Sequence, residues 1–441
     1  MDYSQYSQLI FNLPPIAGLA PLVLYIILAF NKKVHPVVNV VACTMLAAVM
    51  CKFDLTQFGT LIKDGMGSNL GLVPFIVMMA TGMSVILRKT GVAELIVHFI
   101  MDKVGVNTKK RVILTTSISG VVLTVLLATM AGANSVIAPI MIPVAAAVGV
   151  TPSVIGVIFQ GASQIGLFLG PISPPAIVVM GLTNMSYPEY ALKVGLPMGI
   201  VMFIGTYLVS LYVQKKTEGK ESYDVNEYSI DNNFKATKKT KQTLWVFLGV
   251  LTALTVWGIF KQGGVAFALI IIVLTGIIVG KFYGMSMYDI TDSLLEGRRM
   301  FWLFITVFMF QPFIGFVQGC GAFDALAALL EPIITSAGKP LFCFLTSFIG
   351  IFGINGAHVA QSPIIDALFG STALTLGVSP ALWALCLTVG TQLTSFSYPG
   401  LDMLASMGVA QSKDVKWMLV NSYLGVIPGC LLLTVLFSFV M

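Results

Sequence analysis

The chain has 441 residues, 57% of them hydrophobic and only 10% charged, with a mean hydropathy of +0.91. So little polar surface excludes a dispersed soluble protein of this length and points to a lipid environment. The net charge of +6 is spread over short loops between apolar runs, which excludes the clustered basic face of a nucleic-acid binder.

Apolar runs of about 20 residues, the length needed to cross a bilayer, recur along the chain. Backbone groups in lipid must be satisfied internally, so these runs are expected to be helices. The alternation of a membrane barrel is absent. The first residues lack a basic stretch and a small-residue cleavage site, so no cleavable leader is expected.

In chain order, spans are expected at 14–31, 35–51 and 68–87, followed by an amphipathic stretch at 90–104. Two short apolar segments, 112–131 and 135–149, are joined by Ala131-Gly132-Ala133-Asn134 and read as a hairpin over 112–149. A long segment at 152–182 is broken by Gly170-Pro171-Ile172-Ser173-Pro174-Pro175, and a span at 189–214 follows. The one long polar linker is 215–242. Further spans are expected at 243–260, 264–282 and 300–318, then an amphipathic stretch at 322–337. A second hairpin covers 340–370, a second broken helix 380–411, and a last span 416–441.

The order of elements is thus given twice, and single residues answer each other. Thr90-Gly91 with Glu94 matches Cys320-Gly321 with Asp324, and Gly132-Ala133-Asn134 with Pro139 matches Gly356-Ala357-His358 with Pro363. Gly149-Val150-Thr151-Pro152 matches Gly377-Val378-Ser379-Pro380; Ser163-Gln164 matches Thr391-Gln392; Pro171 matches Pro399. The pattern implies an all-α polytopic membrane protein of two inverted repeats, 1–214 and 243–441, joined by a cytoplasmic linker at 215–242. About ten transmembrane helices, two re-entrant hairpins and two broken helices are expected.

Charge sets the expected orientation. With both termini outside and the hairpins not crossing, 20 of the 25 basic residues are cytoplasmic. They include Lys32, Lys33, Arg88, Lys89, Lys109, Lys110, Arg111 and seven linker lysines. Only Lys52, Lys63, Lys193, Lys261 and Lys339 lie outside, as the positive-inside rule requires. The short arms favour re-entrance over crossing. The chain is therefore expected in a cell inner (plasma) membrane.

Inverted repeats with interrupted helices mark alternating-access carriers. At each interruption, free N–H groups and the positive helix end attract anions, and free carbonyls can coordinate Na⁺. The candidate substrate residues are Asn134 and Ser135 at the first tip, and Ser163, Gln164 and Ser173 at the first break. The second hairpin adds Asn355, His358 and Gln361, and the second break adds Thr391, Gln392 and Ser395. Ser173 is placed to cap the half-helix begun by Pro174 and Pro175. Na⁺ sites are expected near Asn134 and Asn355, with no other cofactor. No lysine or arginine falls in the middle of a span, so an anion would be held by dipoles, amides and hydroxyls. Asp402, with Ser397, is the candidate for ion coupling; the alternative is a helix-capping aspartate. His358 could bind a carboxylate, carry a proton, or simply be a hydrogen-bonded tip residue. Asp366 is expected near the outer surface. The six cysteines read as reduced packing residues.

The layout resembles the ion transporter superfamily of secondary carriers. From Pro74 to Pro197 it is similar to the anaerobic C4-dicarboxylate carriers for fumarate and succinate, and more loosely to gluconate permeases. Gly-Ala-Asn-Ser at 132–135, Gly-Val-Thr-Pro at 149–152, Gly-Pro-Ile-Ser-Pro at 170–174 and Tyr190 with Leu196-Pro197 carry the likeness. It implies an elevator-like carrier, often a homodimer, with substrate and cation at the tips and breaks, working by symport or antiport. A Na⁺/H⁺ antiporter or an amino-acid carrier on the same fold is the nearest alternative. An intramembrane enzyme would need a motif such as H-E-x-x-H, and His35, His98 and His358 are too scattered to form one. A channel suits opposed hairpins less well.

Overall fold

The computed structural model describes residues 9–29, 34–52, 55–67, 69–223, 236–261, 264–353 and 358–441. Among them every regular element is helical. In the first half these are α1 (Ala20–Ala29), α2 (Pro36–Met50), α3 (Leu55–Gly67), α4 (Asn69–Lys89), α5 (Val92–Val104), α6 (Lys109–Leu127), α7 (Met130–Val148), α8 (Pro152–Leu169), α9 (Pro174–Thr183) and α10 (Tyr187–Thr217). The second half has α11 (Lys238–Phe260), α12 (Gly264–Tyr283), α13 (Met287–Leu295), α14 (Phe301–Gly319), α15 (Ala322–Ile351), α16 (His358–Thr375), α17 (Pro380–Gln392), α18 (Thr394–Ser397), α19 (Leu401–Val409) and α20 (Val415–Val440). Five of these, α6, α7, α8, α10 and α20, are long and apolar enough to cross a membrane.

Local chemistry explains where the helices start and stop. Thr108 accepts a hydrogen bond from Arg111 N, and Ser379 one from Leu382 N, each capping a first turn. Pro152 and Pro380 occupy first-turn positions, where a missing N–H costs nothing. The long α15 is bent at Gly338, whose φ of 69° no helix contains, so its amphipathic and hairpin parts meet where the sequence places them.

The first hairpin turns earlier than expected. Ala128 adopts a left-handed conformation (φ 51°) and Thr129 accepts from Gly132 N, so the turn is Ala128–Thr129 rather than 131–134. Asn134 and Ser135 therefore lie inside α7. The cap was hidden because Thr129 sits within an apolar run. The arms are 19 residues each, so the second is longer than the 135–149 segment expected. At about 1.5 Å per residue each could span the hydrocarbon, so length alone does not favour re-entrance. The second hairpin tip, including Asn355, lies outside the described residues.

Helices pack through glycines, as is usual in lipid where close backbone approach replaces the hydrophobic drive. A Cβ on Gly166 would fall 2.6 Å from Val121 O on α6, and one on Gly350 would fall 2.8 Å from Gly390 Cα on α17. One turn each of α10 and α20 is π-helical, at Ala191–Gly195 and Asn421–Val426, just ahead of Pro197 and Pro428.

The expected orientation has a direct check. All six cysteines are buried, so labelling background should be low. In intact cells an impermeant thiol reagent should react with Lys261→Cys and miss Lys220→Cys, both exposed positions. Labelling at 220 would reverse the orientation.

Candidate functional site

The breaks in α8–α9 and α17–α19 are brought side by side. Gln164 donates from Nε2 to Gln392 Oε1 at 2.8 Å, and Gln160 donates to Ser395 O at 2.6 Å. These bonds join positions more than 220 residues apart, and all four side chains are buried.

On the first-half side, Ser163 donates to Asn134 Oδ1 at 2.6 Å, and Asn134 donates to Phe159 O at 3.1 Å. Asn134 thus ties α7 to α8 with both ends of its amide. Ser135 donates to Gly132 O within its own turn. It also accepts from Arg88 Nη1 at 3.4 Å. The sequence reading leaves Arg88 at a cytoplasmic helix end. The structure instead brings this exposed guanidinium to a predicted site residue, because the last turn of α4 lies beside the second turn of α7. Its other charged neighbour is Glu94 on α5, whose carboxyl burial pushes above its ordinary range, against a backbone hydrogen bond and the Arg88 charge.

On the second-half side, His358 opens α16 and sits at the centre of a buried polar cluster. Its Nδ1 is 2.9 Å from Thr391 O and 3.3 Å from Thr394 Oγ1. Its Nε2 is 3.3 Å from Ser395 Oγ and 3.4 Å from Asp402 Oδ2. Ser395 donates to that same Asp402 oxygen at 2.6 Å. Asp402 is in the first turn of α19, but Gly400 is the cap residue and no side-chain cap bond forms there. Ser397 donates to Thr394 O within its own turn. Gln361 donates to Gly350 O, joining the arms of the second hairpin.

Two expectations about the breaks are corrected. Ser173 does occupy the cap position of α9, but it makes no cap bond; it donates instead to Leu167 O. Nor are the carbonyls at the end of α8 free. Leu167 O takes the Ser173 hydroxyl, Phe168 O the Tyr190 hydroxyl at 3.0 Å, and Leu169 O the Tyr187 hydroxyl at 2.9 Å. The second break is treated alike. Thr391 O, Gln392 O, Ser395 O and Ser397 O receive His358 or Thr394, Gln164, Gln160 and Tyr423 respectively. Buried carbonyls without partners are costly, and here side chains from neighbouring helices cover them.

Gln160, Tyr187 and Tyr423 are absent from the sequence-derived site. Gln160 had a signal: with Gln164 it puts two amides at i, i+4 on one face of an otherwise apolar helix. Asp366 accepts from Trp383 Nε1 at 2.7 Å and lines a cavity of about 650 Å³ between α9, α16 and α17. That cavity touches none of the predicted site residues.

Comparisons agree with this architecture. The crystal structure of the YdaH transporter of Alcanivorax borkumensis superposes with a TM-score of 0.60 at 14% identity, covering 97% of this chain and 98% of that one. That likeness establishes the fold. No curated protein sequence matches the chain. The family model described as citrate transporter matches residues 25–388. With a match over most of its length and a polytopic helical fold to go with it, the chain belongs to the citrate transporter family, and is a membrane transport protein rather than an enzyme.

Proposed function

We propose that the chain is a secondary active carrier of a small organic anion with one or more carboxylates, such as citrate or a C4-dicarboxylate. It would work by alternating access in an inner or plasma membrane, as a homodimer, coupled to H⁺ or Na⁺. The observation that carries this reading is the polar seam formed where α7, α8, α16 and α17–α19 meet. It is lined by amides and hydroxyls, with a single His–Asp pair inside it and Arg88 at its edge. Neutral donors and helix ends can hold a carboxylate without a buried cation to trap it. The pair of titratable groups suits a coupled proton, because one proton can be shared between Ser395-bound Asp402 and His358.

Proteoliposome uptake of labelled citrate, succinate and gluconate tests the proposal. Saturable uptake of at least one, driven by an imposed H⁺ or Na⁺ gradient, is expected. If none is taken up while Na⁺ dissipates a pH gradient, the chain is a Na⁺/H⁺ antiporter. The contact between Arg88 and Ser135 favours the anion carrier, since cation exchange has no use for a guanidinium there.

Two substitutions sharpen it. Arg88→Gln should raise KM by about three- to tenfold, more for a trivalent than a divalent substrate and more at low ionic strength. An unchanged KM at low salt would remove Arg88 from the path. Asn134→Ala leaves Ser163 Oγ without its acceptor and removes the side-chain donor to Phe159 O, and should raise KM with little loss of folded protein. Parent-like kinetics would make Asn134 a structural tie only.

A further inference from the structure

The last helices of the two halves, α10 and α20, cross at their glycines. A Cβ on Gly205 would fall 1.8 Å from Gly425 O, so the two backbones touch there. Past the crossing both helices run to one end of the molecule, where α10 stops at Thr217 and α20 starts at Val415. It is the end expected to face the cytoplasm. At about 1.5 Å per residue, Tyr212 lies roughly 10 Å beyond Gly205 and Trp417 roughly 12 Å beyond Gly425. The two rings meet at that level, edge to face, with centroids 6.5 Å apart and planes at 69°.

A lysine lies over each ring. Lys216 Nζ is 5.6 Å from the centroid of Tyr212, one turn back on its own helix, and Lys416 Nζ is 5.1 Å from that of Trp417. Both distances suit a cation–π contact, so one aromatic pair holds two ammonium groups from different helices. Neither lysine has a carboxylate partner among the described residues. Of the acids close by in sequence, Glu218 pairs with Lys109, Glu221 accepts from Ser153 N, and Asp414 accepts from Lys416 N at the start of α20. Lys215 and Lys413 are exposed at the same two helix ends. Four lysines against Asp414 leave these ends net positive.

Toward the bilayer the surface turns apolar. Ile204, Leu208 and Tyr212 recur every fourth residue on α10, all exposed, and Lys216 continues their stripe. Leu424 is exposed on α20. We propose that these helix ends bind an anionic phospholipid, its headgroup on Lys216 and Lys416 and an acyl chain along Ile204 and Leu208. Charge selects an anionic headgroup over a zwitterionic one, since basic side chains between membrane helices are what anionic headgroups seek. The apolar stripe selects a lipid over a free phosphate, and the ring pair sits where aromatic side chains favour the interface. The place matters to the molecule. Tyr423, two turns on from Lys416, donates to Ser397 O at the second break, so a lipid held here steadies the helix that covers that break. Binding stands on this geometry and does not depend on the transport reading above.

The test follows the melting temperature of the full-length protein in a neutral detergent as phosphatidylglycerol or phosphatidylcholine is added. The parent should show a saturable rise with phosphatidylglycerol that exceeds any rise with phosphatidylcholine. Lys216→Gln and Lys416→Gln should each raise the half-saturating phosphatidylglycerol by about fivefold, and the double variant by more than about tenfold. Lys216→Arg and Lys416→Arg keep the charge and should stay within about twofold of the parent. Lys103→Gln is the matched control. Lys103 is also exposed and lies over a ring, that of Phe99 at 5.7 Å, but on α5; its loss should leave the titration parent-like. The substituted side chains are all exposed, so the variants should melt like the parent in detergent alone. Three results would overturn the site. One is a parent that does not prefer phosphatidylglycerol. Another is an equal weakening by Lys103→Gln, which would mean diffuse surface charge. The third is an equal rise with glycerol 3-phosphate or inorganic phosphate, which would mean a free anion in place of a lipid.

Discussion

Asp402→Asn is expected to abolish gradient-driven accumulation of substrate while leaving substrate exchange across the membrane. An ionised carboxylate at this depth costs about 3 kcal/mol unless it is paired. Here its partners are the Ser395 hydroxyl at 2.6 Å and His358 Nε2 at 3.4 Å. Asparagine keeps the shape and can still accept from Ser395, but it cannot take up or release a proton. The moving part would cross in both directions with the same charge at this position, so a proton gradient would have no grip on it. The assay is uptake into proteoliposomes with and without an imposed gradient, beside counterflow with no gradient. A variant that concentrates substrate as well as the parent would return Asp402 to a purely structural role.

Gly205→Ala should be the most destabilising added methyl among the described glycines. Its Cβ would overlap a backbone carbonyl of the π turn, at 1.8 Å from Gly425 O. A flexible side-chain tip could move aside, whereas a helix backbone cannot. Overpacking of this kind costs about 1–3 kcal/mol. Thermal unfolding in detergent should show a lower melting temperature and a smaller folded yield. Gly249→Ala is the matched control. It too is helical, but nothing lies within 4 Å of the added methyl, and helix propensity alone should leave it neutral or better by about 0.5–1 kcal/mol. Equal melting temperatures for the two would mean that the close crossing of α10 and α20 does not exist.

Much of the fold is legible in the sequence, for reasons that are local. The prolines of Gly-Pro-Ile-Ser-Pro-Pro and Tyr-Pro-Gly withhold backbone donors, so interruptions are expected within 170–175 and around Pro399, and the helices stop at Leu169 and Ser397 and resume at Pro174 and Leu401. The Thr-Pro and Ser-Pro pairs at 151–152 and 379–380 act the same way at helix starts. The first hairpin turn was missed because its signal is one threonine cap beside an alanine in left-handed conformation, neither of which stands out in an apolar run. The site was legible only as residue types. Ser163 with Asn134, Gln164 with Gln392, and His358 with Asp402 are tertiary pairs, and periodicity says nothing about partners 29, 228 or 44 residues away. The same limit hid the tyrosines that cover the end of α8. Free carbonyls at a break are a fair expectation from the chain itself, and only the neighbouring helix shows that they are filled.

The pairing of Gln164 with Gln392 has a consequence for the electrical behaviour of transport. The strongest ties across the two breaks are amide to amide and amide to carbonyl, and none carries formal charge. Asn134 and Gln160 are neutral as well. A membrane voltage therefore acts on this lining through His358, Asp402, Arg88 at its edge and whatever they or the substrate bring with them. Each elementary charge carried through 100 mV corresponds to about 2.3 kcal/mol. Current measured per substrate molecule moved should thus count the bound protons or cations directly, with no background from the amides that hold the two halves together.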